Sequence, residues 1–234
     1  MPNRNTPRQI PFNLGHEAGH SRDDLIVTDA NRDAVAFIEA WPDWPGPFGI
    51  VVGPAGSGKT HLATIWGAET GALNIAADRL GEIDRFGLAG SENVLIEDVG
   101  EAPFDNPGLF HLLNALRSGG GSILMTARRY PSGWPVSLPD LGSRLKASAT
   151  VSIHEPDDLL LSGVIIKLFA DRQLSIDPAI VSYLVSRMER SLVTAIGIVD
   201  KIDRMALERK ARITRSLVAE ALSAMDAGQE AFRY

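Results

Sequence analysis

An apolar run, Phe48-Gly49-Ile50-Val51-Val52, leads straight into Gly53-Pro54-Ala55-Gly56-Ser57-Gly58-Lys59-Thr60, and no other stretch limits the possible folds so much. The octet is a complete G-x-x-x-x-G-K-T. Its chemistry needs a buried strand before it, a glycine-rich turn, and a helix N-terminus after it. The sequence supplies them in that order: the apolar run reads as a strand, and Lys59-Thr60-His61-Leu62-Ala63-Thr64-Ile65-Trp66 opens a helix. Gly53, Gly56 and Gly58 allow the backbone to aim several N–H groups at one phosphate, at the positive end of the helix dipole. Lys59 is expected to reach the terminal phosphates of ADP or ATP, with the Thr60 hydroxyl on Mg2+ and Pro54, Ala55, Ser57 and His61 completing the cofactor loop.

Around this loop the chain alternates strands and helices. Strand candidates are Leu73 to Ala77, Asn93 to Asp98, Ser122 to Thr126 and Ala149 to Ile153. A helix is expected from Arg32 to about Trp41, and another from about Asn106 to Arg117, where Leu109, Leu112, Leu113 and Leu116 recur at helical spacing. Such alternation implies a five-stranded parallel sheet covered on both faces. After Pro156 the strand signals stop. The segments 157–171, 178–187, 191–210 and 214–225 all read as helices, the third with Leu192, Ile196, Val199, Ile202 and Met205 on one stripe. The expected organisation is a mobile tail over 1–24, an α/β nucleotide-binding domain over 25–156, and a small all-helical lid over 157–234.

Composition narrows the function classes. With 234 residues the chain can bury a large core plus a satellite, and its net charge of -6 disfavours a protein that coats nucleic acid, without excluding a local basic patch. There are no cysteines, which removes disulfides, zinc fingers and thiol nucleophiles together and suits a reducing, cytoplasmic setting. No stretch has the length and apolarity of a membrane span, so no membrane partner is expected. In the tail, His16-Glu17-Ala18-Gly19-His20 matches H-E-x-x-H. Gly19 and the lack of helical periodicity nevertheless argue that the two imidazoles do not share a helix face, and no third metal ligand is evident.

Glu97 and Asp98 end a buried strand, where ligands of parallel sheets gather; one carboxylate would hold the magnesium and the other orient an attacking water. Thr126 ends the neighbouring strand, with its hydroxyl available to a terminal phosphate. Arg144, in Leu138-Pro139-Asp140-Leu141-Gly142-Ser143-Arg144-Leu145, and Arg190, at the start of the long helix, read on their own as surface arginines. Lys201, Arg204, Arg209, Lys210, Arg212 and Arg215 are interleaved with Asp200, Asp203 and Glu208 and read as a solvated helix face.

The P-loop followed by His61-Leu62, the acid pair, the threonine strand end, the Pro-Asp-Leu-Gly-Ser-Arg-Leu segment and the helical lid together resemble the AAA+ module of the replication initiator DnaA, over about residues 25 to 225. DnaA continues into a helix-turn-helix domain, which a chain ending at Tyr234 is expected to lack. Ahead of the module, Gln9-Ile10-Pro11-Phe12-Asn13-Leu14 resembles the clamp-binding peptide of the Hda family, with Gln9 as hydrogen-bonding amide and Ile10, Phe12 and Leu14 as apolar anchors. That resemblance implies an adaptor that binds the DNA-polymerase sliding clamp and stimulates hydrolysis of DnaA-bound ATP, with self-association possible and DNA contacted only through the clamp. It makes Arg144 an arginine finger for a neighbour's nucleotide, Arg190 the sensor arginine of the lid, and Thr126 the sensor beside the phosphate. Glu97 stands where the family pattern has aspartate, a departure that puts self-hydrolysis in doubt and makes ADP a candidate working ligand. The alternative is an autonomous AAA+ ATPase that works as a loader or motor.

Overall fold

The computed structural model describes residue 22 and residues 25–82 and 93–231. Strands β1 (Phe48–Val52), β2 (Leu73–Asn74), β3 (Val94–Ile96), β4 (Ile123–Ala127) and β5 (Ala149–Ser152) form one sheet in the order β2-β3-β4-β1-β5, with every pairing parallel. Helices α1 (Arg32–Glu39), α2 (Lys59–Thr70), α3 (Asn106–Gly119) and α4 (Pro139–Ala147) cover it. Alternate β1 residues divide between the two faces. Phe48, Ile50 and Val52 pack into a core with Leu109, Leu113 and Leu145, whereas Val51 packs with Leu95 and Leu124 against α1 and α2.

Gly49 would weaken an ordinary strand, but a Cβ at this position would lie 2.8 Å from the Trp44 ring and 3.0 Å from that of Phe37. The glycine lets those stacked rings lie directly on the sheet, and Trp44 in turn stacks on Trp66 of α2 at 5.6 Å between centroids. The helix that carries the P-loop lysine is thereby clamped from behind.

Helices α5 (Asp158–Asp171), α6 (Pro178–Val185), α7 (Leu192–Arg209) and α8 (Arg215–Ala231) enclose a separate apolar core that includes Leu161, Ile165, Phe169, Leu184, Ile198 and Val218. Among the described residues, no helix is long and apolar enough to cross a membrane.

Two expectations change: Ile196, read on the inner stripe of α7, is exposed while Ala195 and Ile198 are buried in its place, and the second strand is shorter than expected. The second strand, expected from Leu73 to Ala77, is paired only over Leu73–Asn74. Ile75 still donates to the Leu95 carbonyl at 2.9 Å before the chain tightens into a 3-10 turn at Ala77–Glu82, so this edge strand is cut short. The segment around Arg144 forms α4, whose Pro139 at the first turn and buried Leu141 and Leu145 at i, i+4 spacing explain it.

Where the helical unit begins, Asp157 caps α5 by accepting from Leu160 N–H at 2.7 Å. Burial pushes the Asp157 carboxyl pKa up, yet the hydrogen bonds from Leu160, the Thr28 hydroxyl and Ala30 outweigh it and hold the group below the usual range. A carboxylate with a depressed folded pKa adds stability above its unfolded value, and loses it as pH falls through the folded one. Asp157→Ala should therefore lower stability by about 1 kcal/mol at neutral pH. Urea melts at pH 7 and at successively lower pH should show that difference shrinking as acid protonates the parent cap.

Candidate nucleotide-binding site

The sheet register lines up the chemistry. Val51 pairs with Thr126 and Ile96 with Met125, so Gly53, Glu97 and Thr126 leave the same edge of the sheet side by side. Gly53 N–H donates to the Ala127 carbonyl at 3.0 Å, and a Cβ on Gly53 would lie 2.4 Å from the Ile153 carbonyl oxygen. The loop can sit this deep only because residue 53 has no side chain. Gly56 and Gly58 take φ of +72 and +103, the latter as the N-cap of α2. These conformations are costly for any residue with a Cβ.

Lys59 is buried, and its Nζ donates to the Pro54 carbonyl at 2.7 Å. An ammonium has three donors, so two hydrogens remain for phosphate oxygens. Burial lowers the Lys59 pKa, opposed by Asp98; Arg128 lowers it further, and Glu101 and Glu97 oppose. Ser57 is buried with its hydroxyl on the Pro54 carbonyl at 2.9 Å, whereas Ala55 and Thr60 are exposed and His61 is half-buried. Thr60 thus stands at the open mouth of the loop.

Among the acids, Glu97 is half-buried and Asp98 exposed, and Asp98 adopts a positive φ of 51. Its N–H donates to the buried Thr126 hydroxyl at 3.0 Å, and Val99 N–H to the Thr126 carbonyl at 2.8 Å. Thr126 therefore anchors the acid turn, and its own hydroxyl proton is not committed to an acceptor among the described residues. Sequence reasoning missed Arg128 and Glu101. They pair at 3.6 Å, and both act on Lys59. The signal was available: Arg128 lies two residues beyond Thr126, off the same strand end.

The helical unit closes the loop's other side. Leu192 N–H, at the start of α7, donates to the Gly56 carbonyl at 2.8 Å, and Ser191 Oγ would lie 2.1 Å from a Cβ on Gly56. Arg190 is adjacent in sequence, but its guanidinium is held by the Asp158 carboxylate at 2.6 Å and the Pro156 carbonyl at 3.1 Å. Arg144 is elsewhere. It lies on α4 with its Cζ 5.1 Å from the centroid of the Phe110 ring and its Nη1 buried without a hydrogen-bond partner among the described residues. The charges acting on Lys59 do not include it. Gln9, Ile10, Phe12 and Leu14, and the pair His16 and His20, lie outside the described residues.

A parallel sheet with β4 between β1 and β3, a P-loop after β1, an acid pair after β3 and a helical unit on the loop define a P-loop α/β fold. The comparisons say what it is similar to. DnaA of Lacticaseibacillus paracasei is 26% identical over 230 residues, 87% of this chain and 51% of the relative, so the chain spans about half the length of that initiator. Domain III of Thermotoga maritima DnaA superposes with a TM-score of 0.74 at 16% identity, covering 88% of this chain and 96% of that one. A DnaA bound to AMPPCP and single-stranded DNA gives 0.67 at 22% identity, covering 82% and 67%. No protein-family model matches the chain.

If Lys59 supplies the counter-charge for a phosphate, Lys59→Ala should weaken ADP binding by about a hundredfold or more, since a charge-assisted pair within a polyanion site is lost. Isothermal titration that gave equal affinities for variant and parent would remove this assignment.

Proposed function

We propose that the chain is a nucleotide-bound AAA+ regulator of DnaA: it docks on the DNA-polymerase sliding clamp through Gln9, Ile10, Phe12 and Leu14 and stimulates hydrolysis of DnaA-bound ATP, so restraining replication initiation. One observation carries this reading. A phosphate cradle surrounds Lys59, while Arg144 lies on a different helix, half-buried against Phe110, with an Nη1 that has no hydrogen-bond partner among the described residues, and it is not among the charges that act on that lysine. Such a group is suited to another molecule's site. A cation supplied in trans accelerates phosphoryl transfer by meeting charge that grows in the transition state.

The residues fit ADP or ATP with magnesium. Positive φ at Gly56 and Gly58 keeps side chains out of the cradle, and Lys59 retains donors for phosphate. Thr60 and Glu97 would hold the ion, since magnesium commonly takes one or two protein oxygens and completes its shell with phosphate and water. When bound, the ion would neutralise phosphate charge. Asp98 would orient water, Thr126 would face the terminal phosphate, and Arg190 would reach the chain's own nucleotide after leaving Asp158. The second reading, an autonomous ATPase, is favoured by Arg128, a cation already beside Lys59.

Replacing Gln9 and Phe12 by alanine should abolish clamp binding in a pull-down or by surface plasmon resonance, with nucleotide affinity and thermal midpoint unchanged. Early melting of that variant would mean the segment supports the fold and is not a docking peptide.

Arg144→Ala should fold and bind both ADP and the clamp, yet lose stimulation of DnaA hydrolysis by about a thousandfold in the chemical step. Arg144→Lys should rescue poorly, because it restores charge without the planar fork. ATP turnover by the chain alone is the control: if the alanine variant abolishes that and leaves DnaA stimulation intact, the autonomous reading replaces the regulator.

A further inference from the structure

Beyond the nucleotide site, the helical unit carries a cationic surface that no role above uses. Most lid arginines near carboxylates are neutralised: Arg172 pairs with Asp200 and Asp203, Arg190 with Asp158, and Arg209 with Glu220 through both carboxylate oxygens. Each Glu220 carboxylate oxygen accepts from Arg209, which holds that carboxyl below its usual range. Over residues 157–234 acids and bases balance at eleven each, so any cationic character is local to one stretch. From Arg209 to Ala219 the sequence contains no acid, and Lys210, Arg212 and Arg215 in that stretch are exposed with no ion pair among the described residues.

A fourth cation joins them across the fold. Arg187 and Arg215 both stack on the Tyr183 ring, with their Cζ atoms 4.2 Å and 4.5 Å from its centroid. Arg187 also donates to the Ser186 hydroxyl at 3.3 Å. Stacking on a ring orients a guanidinium while leaving its N–H edge directed outward, so part of the entropy cost of binding is already met. Two like charges gathered on one ring, neither in an ion pair among the described residues, are suited to an anionic partner.

The chemistry of the surface selects that partner. Leu207, on the last turn of α7, is the exposed large apolar side chain beside these cations, and a lone leucine lacks the clustered aromatic anchors that carry most protein interfaces. Single-strand binders stack bases on open aromatic faces, but the Tyr183 ring is already occupied by guanidinium groups. Charge and hydrogen bonds with neither an apolar cluster nor a free ring match a phosphodiester backbone of fixed geometry. We infer that Lys210, Arg212, Arg215 and Arg187 form a docking surface for the backbone of duplex DNA, bound without sequence preference. This gives the chain a direct DNA contact in addition to any made through a clamp, and it is independent of the role proposed for Arg144.

The test is fluorescence anisotropy of the full chain with a labelled mixed-sequence duplex and with one of its strands, over a salt series. The duplex should bind more tightly than the strand, with log affinity falling against log salt at a slope of about -3, as expected for three to four phosphate contacts. Arg212→Ala with Arg215→Ala should weaken duplex binding at low salt by roughly tenfold or more and make the slope shallower by about 2. The matched control, Arg117→Ala with Lys146→Ala, removes the same charge from exposed positions elsewhere and should leave both quantities near the parent's. Circular dichroism melts establish that each variant is folded, and Arg187→Ala provides a second route to the same surface should the double variant unfold. Preference for the single strand, equal losses in test and control variants, or no duplex binding by the parent would overturn the inference. So would unchanged duplex affinity together with weakened clamp or DnaA binding, which would make the surface a protein contact.

Discussion

The hydrogen bond from Leu192 N–H to the Gly56 carbonyl ties the helical unit to the loop on which nucleotide chemistry depends. It can form only because residue 56 is glycine: its φ is positive, and the space a Cβ would need is taken by Ser191. Leu192 also covers Gly58, where an added Cβ would lie 3.1 Å from Leu192 Cδ1, and Ile153 backs Gly53. The glycines of the motif therefore serve two demands together. They open the inner side of the loop to phosphate, and they admit β5 and α7 to its outer side. A second tie, from Asp157 to Thr28 and Ala30, fixes the other end of the same junction.

Against this tight junction, the acid turn is held under local strain. Asp98 has φ of +51, a conformation that costs about 1 kcal/mol or more for a residue with a Cβ, and the Thr126 hydroxyl and carbonyl hold the turn in place. Behind it, a Cβ on Gly100 would lie 2.6 Å from the Trp134 ring, so the turn is pressed against a buried aromatic. Strain of this kind places the Asp98 carboxylate where it acts on Lys59 more strongly than Glu97 does. The departure from the usual residue at position 97 thus leaves the electrostatic partner of the lysine in place.

The P-loop strand and helix were legible because the motif prescribes the order of its flanks, and α3 because Leu109, Leu112, Leu113 and Leu116 mark one face. The lid helices were legible from apolar periodicity, and the caps Asp157, Asp177 and Ser191 set their starts to within a residue. β2 was overextended because Ile75 and Ala76 are apolar, and periodicity alone cannot separate a paired edge from a chain turning away. α4 was hidden because its Gly142 and Ser143 are poor helix formers; its stability comes from Leu141 and Leu145 packing into the sheet core. In the site, the strand ends were readable. The Arg128–Glu101 pair and the Asp158 hold on Arg190 depend on loop geometry that no local pattern encodes.

The aromatic stack under the P-loop helix also has an optical consequence. Trp41, Trp44 and Trp66 lie within one cluster, with Trp66 packed edge-on to Trp41 and nearly parallel to Trp44, while the fourth indole, Trp134, covers the glycine beside the acid turn. Indoles this close exchange excitation, so the cluster emits as one coupled unit, and Trp134 is the tryptophan that contacts the turn beside the acids. The chain carries its own fluorescence reporter: quenching or a spectral shift assigned to Trp134 follows rearrangement of the acid loop, against a background set by three indoles fixed to the sheet.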